Sequence, residues 1–177
     1  MSRIANRNSI KRKGDDHPHS MRIVPKRLEL ASYLEDIWQR YFSDVQRPNE
    51  IYIGYCFPWK TRLGLIRLAL DNSHSFIGIN SLLQLANVPE SVLVTTIAHE
   101  LVHYAHGFGS PLPRAQQHPH ANGIVEKELE ARSLGPLLQE CNEWLDHHWY
   151  PFYEEQKARG RVRLLSALYT ARRQTVL

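Results

Sequence analysis

His99-Glu100-Leu101-Val102-His103 sets two imidazoles and one carboxylate at the spacing that a catalytic zinc ion needs. On a helix, residues four apart stack one turn apart on one face, so His99 and His103 can grip a single ion while Glu100 points near its open coordination position. This is the H-E-x-x-H pattern of metallopeptidases, in which the acid is the general base. The plainer alternative is two surface histidines and a salt-bridging Glu on an amphipathic helix.

Catalytic zinc takes three protein ligands and leaves one position to water. The first choice for the third is His120, in Gln117-His118-Pro119-His120 just ahead of an expected helix, and His118 is the second. A helical acid among Glu126, Glu128 and Glu130 also competes. The longer metzincin pattern is excluded, because its Gly and third His would fall where this chain has His106 and Gly109. His106 is expected to support the ligands or line the cleft. Tyr104, His106 and Arg114 share the expectation of stabilising a tetrahedral oxyanion.

The helix that must carry the pair has a start signal in Asn87-Val88-Pro89-Glu90, with a capping Asn, a first-turn Pro and an acid at the positive end of the dipole. Gly107 stops it. Val94, Ile97, Ala98, Leu101 and Ala105 form an apolar stripe that anchors one side in a core, with polar groups on the other. Upstream, Leu30, Tyr33, Leu34, Ile37, Trp38, Tyr41 and Phe42 mark an amphipathic core helix. Ile51 to Cys56 and Leu63 to Leu70 read as two adjacent strands, and Phe76 to Ile79 as a third after the turn-like Asp71-Asn72-Ser73. A Gly/Pro-rich loop at 107–119 precedes a helix expected over about Asn122 to Leu134, broken by Gly135-Pro136. Leu137, Leu138, Cys141, Trp144 and Leu145 continue a helical stripe, and Arg159 to Arg173 reads as a final helix. The fold class is therefore α+β, with three strands on which the metal helix can rest.

The chain has 177 residues, 42% of them hydrophobic and 23% charged, enough for one sizeable core. No run approaches a membrane span and the N-terminus lacks an apolar signal core, so a cytoplasmic protein with no membrane partner is expected. Cys56 and Cys141 are the only cysteines and lack C-x-x-C spacing, which excludes a disulfide framework and a cysteine zinc ribbon; both read as small buried hydrophobes.

Charge is concentrated at the ends. Residues 1–27 carry eight Lys/Arg against Asp15 and Asp16, residues 157–177 carry six with no acid, and the chain's net charge of +4 leaves the middle strongly acidic. Basic ends of this kind suit nucleic-acid phosphates, although solubility alone would also explain them. The expected organisation is a basic, disordered arm over 1–25, a catalytic domain over 26–150, and a basic C-terminal helix or tail over 151–177. Phe57 and Trp59, beside Lys60 and Arg62, could stack on unpaired bases, or serve in the core or at a strand edge.

Leu63-Gly64, Ile77-Gly78-Ile79-Asn80 leading to Leu82-Leu83, Pro89-Glu90 and Thr96-Ile97-Ala98-His99-Glu100-Leu101-Val102-His103 together resemble the core of SprT-like zinc metallopeptidases, over about 50–135. The resemblance implies a small zincin-like domain, Zn2+ as cofactor, and a third histidine ligand shortly ahead of a helix. Pro119-His120 ahead of Ile124-Val125 is similar, with Ala121 where the family commonly has Gly. The family's better-known members cleave proteins crosslinked to DNA, and some bear cysteine zinc modules that this chain lacks. Glu128-Leu129-Glu130-Ala131 is in turn similar to the downstream motif of regulator-cleaving ImmA/IrrE-type peptidases, with Arg132 in place of their usual Asn. A non-catalytic, zinc-stabilised DNA-binding module is a third expectation, and Glu100 speaks against it, since a structural site needs no base.

Overall fold

The computed structural model describes residues 27–174, with side chains over 30–171. The basic arm expected at 1–25 lies outside the described residues. The fold is α+β. Helix α1 (Arg27–Tyr41) buries Leu30, Leu34, Ile37 and Trp38 along one stripe, and Phe42 just beyond its end completes that face.

Strands β1 (Glu50–Cys56), β2 (Gly64–Leu68) and β3 (His74–Asn80) make one sheet in the order β1-β3-β2. β3 runs parallel to β1 and antiparallel to β2. The first two strands are therefore not neighbours, contrary to the sequence expectation. The cause is local: Asp71 accepts hydrogen bonds from the Ser73 amide and hydroxyl, Asn72 takes φ of 60°, and the chain reverses tightly enough to lay β3 directly on β2. β3 is thereby the central strand, with Ile77 and Ile79 fully buried. Gly78 is required there, since a Cβ would stand 2.6 Å from Cys56 Sγ.

Asn80, at the end of β3, is fully buried and organises the entrance to the cleft. Its Nδ2 donates to the carbonyls of Trp59 and Arg62 at 2.7 and 2.8 Å, and its Oδ1 accepts from the Leu82 amide at 3.0 Å. The linker between β1 and β2 is thus tied down just before β2 begins.

Helix α2 (Glu90–Ala105) starts later than the sequence suggests. Pro89, not Asn87, occupies the capping position, with no side-chain cap; its φ of −58° is already close to helical and its carbonyl receives the Val92 amide. The helix ends as expected, at Gly107 with φ of 78°. Burial extends beyond the anticipated stripe: Val92, Ile97, Ala98, Leu101 and Val102 are enclosed, and so are Thr95, Thr96, Glu100 and His103 on the polar side. α2 is central, packed against α1, β2 and β3 and against the helices that follow.

Helix α3 (Ile124–Ala131) stops short of the expected Leu134, because Ser133 adopts a left-handed φ of 65°. Gly135-Pro136 does not break a helix but opens the next, α4 (Gly135–Trp144), where Pro is tolerated because first-turn amides lack helical partners. A π-helical turn (Leu145–Trp149) leads directly into α5 (Tyr150–Ala158), and Pro151, which cannot donate an amide to the preceding turn, follows that widening. Helix α6 (Arg161–Gln174) closes the described chain. Phe152 on α5 and Leu165 on α6 belong to the same hydrophobic cluster as Leu101 and Ile77, so the core is continuous past residue 150. No helix among the described residues is long and apolar enough to cross a membrane.

Candidate metal centre

A cleft of about 650 Å³ opens between β2 on one side and α3 and α4 on the other, with α2 as its floor. One turn of α2 contributes His99, Glu100 and His103 to that floor, and the chain before α3 brings Pro119 and His120 over it. One ligand atom from each of His99, His103 and His120 lies within 4.8 Å of the other two. The Nε2 atoms of His99 and His103 are 3.1 Å apart. Two nitrogens bound tetrahedrally at 2.0–2.1 Å to one zinc ion are about 3.3 Å apart, so the pair is already set at nearly the required separation.

The electrostatics favour the same use. Burial, aided by the neighbouring imidazoles, pushes His99 down to about 4 and His103 down to about 3. Both rings are therefore neutral at physiological pH and offer lone pairs, the form a metal requires. Burial pushes the Glu100 carboxyl up to about 8, and the Arg62 charge pulls it partly back. An acid poised near neutrality beside the neutral His99 and His103 rings can exchange a proton with a reacting group. The three imidazole nitrogens form a donor set that could hold a metal ion.

His120 reaches the cluster by an unusual turn. It precedes a short 3-10 turn (Ala121–Gly123) in which Asn122 and Gly123 have φ of 57° and 65°. The reversal is made at those two residues, so Ala121 itself needs no glycine-like conformation. His118 stays exposed and outside the cluster. Glu126 lines the cleft from an exposed position, and its charge acts on His99. Glu128 does not: Arg132 binds its Oε1 at 2.9 Å and also clasps Asp44 and the Tyr41 carbonyl while lying over the Phe42 ring. Glu130 is exposed and does not line the cleft.

The expected oxyanion partners are placed elsewhere. Tyr104 is fully buried and donates its hydroxyl to Asn49 Oδ1 at 2.8 Å. His106 lines a separate groove with Glu128 and Arg132, 4.0 Å from the Glu128 carboxylate, because the helix frays there and turns it from the metal-facing side. Arg114 lies over the Phe108 ring and is absent from the cleft lining. The cleft's own cations are Arg62 and Arg67, on exposed positions at and before β2. The sequence marks Arg62 only as a neighbour of Phe57 and Trp59, because a strand partner's approach to α2 leaves no mark in local spacing. Comparison of the chain with protein-family models, with curated proteins and with solved structures finds no match.

Proposed function

We propose that the protein is a zinc-dependent endopeptidase of zincin-like, SprT-like type. The observation that carries this reading is the convergence of His99 and His103 on the floor of an open cleft with His120 above it, and the buried carboxyl of Glu100 beside them. Zinc bound by the three imidazoles supplies a Lewis acid that makes water more acidic and polarises a peptide carbonyl. Glu100 would take the proton of the attacking water and pass it to the leaving amine. Arg62 is the cleft cation whose charge reaches Glu100, which suits it to balance negative charge as the carbonyl is attacked. Among the described residues β2 pairs only with β3, so its other side can receive an extended peptide as an added strand along the cleft.

A regulator-cleaving ImmA/IrrE-like ligand set would draw its third donor from the helix carrying Glu128, and that carboxylate is committed to Arg132. A non-catalytic zinc-stabilised module would need metal to hold the fold, whereas α2 is anchored by Ile97, Leu101 and Val102 in a core independent of the histidines. Peptide or protein substrates follow from the cleft. A role on DNA-associated proteins rests on the basic ends alone.

Metal analysis of the purified protein and its variants tests the site. About one zinc per chain is expected, lost in His99→Ala and in His103→Ala, and reduced more by His120→Ala than by Glu128→Ala. Glu100→Gln keeps the metal and lowers peptide cleavage by two or more orders of magnitude. Full zinc retention in both α2 histidine variants overturns the reading.

A further inference from the structure

We propose that the lobe of the cleft between α2, α3 and α4 is a side-chain subsite for a large apolar residue of the substrate peptide, close to the bond that is cut; this rests on the peptidase reading above. The lobe is lined by Thr95, Leu129, Leu138, Cys141, Asn142 and Leu145. Leu138, Cys141 and Leu145 recur at helical spacing, so one stripe of α4 and the first residue of the π-helical turn form a continuous apolar wall. Leu129 faces it from α3, only 1% exposed.

The lobe carries no charge. Thr95 turns its hydroxyl to the Leu137 carbonyl at 3.3 Å, and burial pushes the Cys141 thiol up to about 11, so it stays neutral. Asn142 is exposed at the rim. Of the cleft's other charged side chains, Arg62 and Arg67 lie at exposed positions at and before β2, and Glu126 is exposed one turn before Leu129, at the rim rather than among the buried lining. A buried carboxylate or ammonium would find no partner in it, whereas Leu, Phe or Met would replace water against hydrocarbon.

Placement fixes which substrate residue enters. Thr95 precedes His99 by four residues, which is one turn and about 6 Å along α2. An extended peptide advances about 3.3 Å per residue, so a carbonyl beside the histidines leaves the lobe within reach of a side chain one or two residues away. A π-helical turn at the end of the wall is consistent with this use, since such turns recur at functional sites.

Two measurements test the subsite, one independent of turnover. Blocked tripeptides acetyl-Ala-X-Ala-amide, with X as Leu, Phe, Ala, Asp or Lys, are titrated against zinc-loaded Glu100→Gln, and the cleavage sites of heat-denatured casein are mapped for wild type. Leu and Phe peptides are expected to bind roughly 10- to 100-fold tighter than Asp and Lys peptides. Cleavage sites should share a large apolar residue at one fixed position. Leu138→Ala should weaken the preference about tenfold, and Leu138→Lys should turn it towards Asp, with zinc content unchanged in both. Cleavage with no apolar position, or binding that is flat across X, overturns the subsite and leaves the peptidase. Apolar-selective binding with no cleavage by wild type overturns the peptidase and leaves the subsite.

Discussion

A Cβ on Gly64 would stand 2.6 Å from Oε1 of Glu100 and 2.9 Å from Cγ2 of Thr96. The first residue of β2 and the proposed base thus touch across the cleft, and only a residue without a side chain lets them do so. Glu100 is 5% exposed, so its carboxylate has little room to retreat. Gly64→Ala should therefore displace the base while leaving the histidines in place. A shift of about 1 Å in a reacting group costs on the order of a hundredfold in rate, and overpacking of this size costs about 1–3 kcal/mol in stability. Peptide cleavage and bound zinc are measured on the same preparation. Wild-type cleavage by Gly64→Ala would show that Glu100 does not need its observed position.

Metal-free protein should show two opposed pH limbs. His99 and His103 are held at about 4 and about 3 against an ordinary 6.5, so below 6.5 the unfolded chain binds protons that the folded one refuses. Stability then falls as pH drops from 6.5 towards 4. Glu100 has the reverse sign: its folded value of about 8 exceeds the ordinary 4.5, so the folded state keeps a proton that the unfolded chain releases. Its contribution is lost as pH rises from 4.5 through 8. Between 6.5 and 8 Glu100 is the one of the three that still titrates differently, and a gentle decline is expected there. Glu100→Gln should flatten that limb and keep the acid one. Urea unfolding of chelator-treated samples across this range checks both, and a decline that survives in Glu100→Gln would assign it to another group.

Much of the centre could be read from the chain because its signals are local. His99, Glu100 and His103 share one helical turn, and the apolar positions around them repeat at 3.6 residues. The ligand count of a catalytic zinc calls for a third donor, for which His120, His118 and the acids Glu126, Glu128 and Glu130 compete, and it is His120 that lies with the pair. The unread parts depend on distant partners. Glu128 is occupied by Arg132, whose hold on Asp44 and the Tyr41 carbonyl spans about ninety residues of chain. Tyr104 is drawn from the cleft by Asn49, which no helical pattern announces. β3 lies between β1 and β2 because a tight turn outcompetes pairing across the longer Phe57 to Leu63 linker. The stripe of Leu138, Cys141 and Leu145 was visible as a helix face, but whether it meets core or cleft is decided by how α4 lies against α2.

Asn80 should be needed for the cleft wall more than for the sheet. Replacing it by Ala leaves the Trp59 and Arg62 carbonyls and the Leu82 amide without their partner, at about 1–3 kcal/mol for each buried group that water cannot reach. Asn80→Asp keeps the acceptor for Leu82 but sets a carboxylate against two carbonyls, so it should be at least as harmful. Thermal unfolding reads the loss in stability. Below the melting range, loosening of the linker that carries Arg62 should reduce cleavage while the zinc stoichiometry holds. Equal stability in Asn80→Ala and wild type would refute this role.

The basic ends should contribute unequally to any nucleic-acid affinity. Arg159 pairs with Glu155 at 2.6 Å, and Lys157 lies 3.9 Å from Glu154, so acids just upstream partly neutralise the C-terminal cations. Arg163 is exposed. The first twenty residues carry Arg3, Arg7, Lys11, Arg12 and Lys13 against two acids. If those five meet phosphates, log affinity against log salt changes by up to about 4.5 units of slope when residues 1–20 are removed, since each contact contributes about 0.9. Joint replacement of Lys157 and Arg159 by Ala should change the slope by less than about 1, because their charge is already shared with glutamates. Zinc content should be unaffected in both, as neither change touches the histidine cluster. Fluorescence anisotropy with single- and double-stranded DNA across a sodium chloride series provides the slopes. Affinity no tighter than that of an unrelated protein of equal net charge would reject a DNA role and leave a peptidase that finds its substrates through the cleft alone.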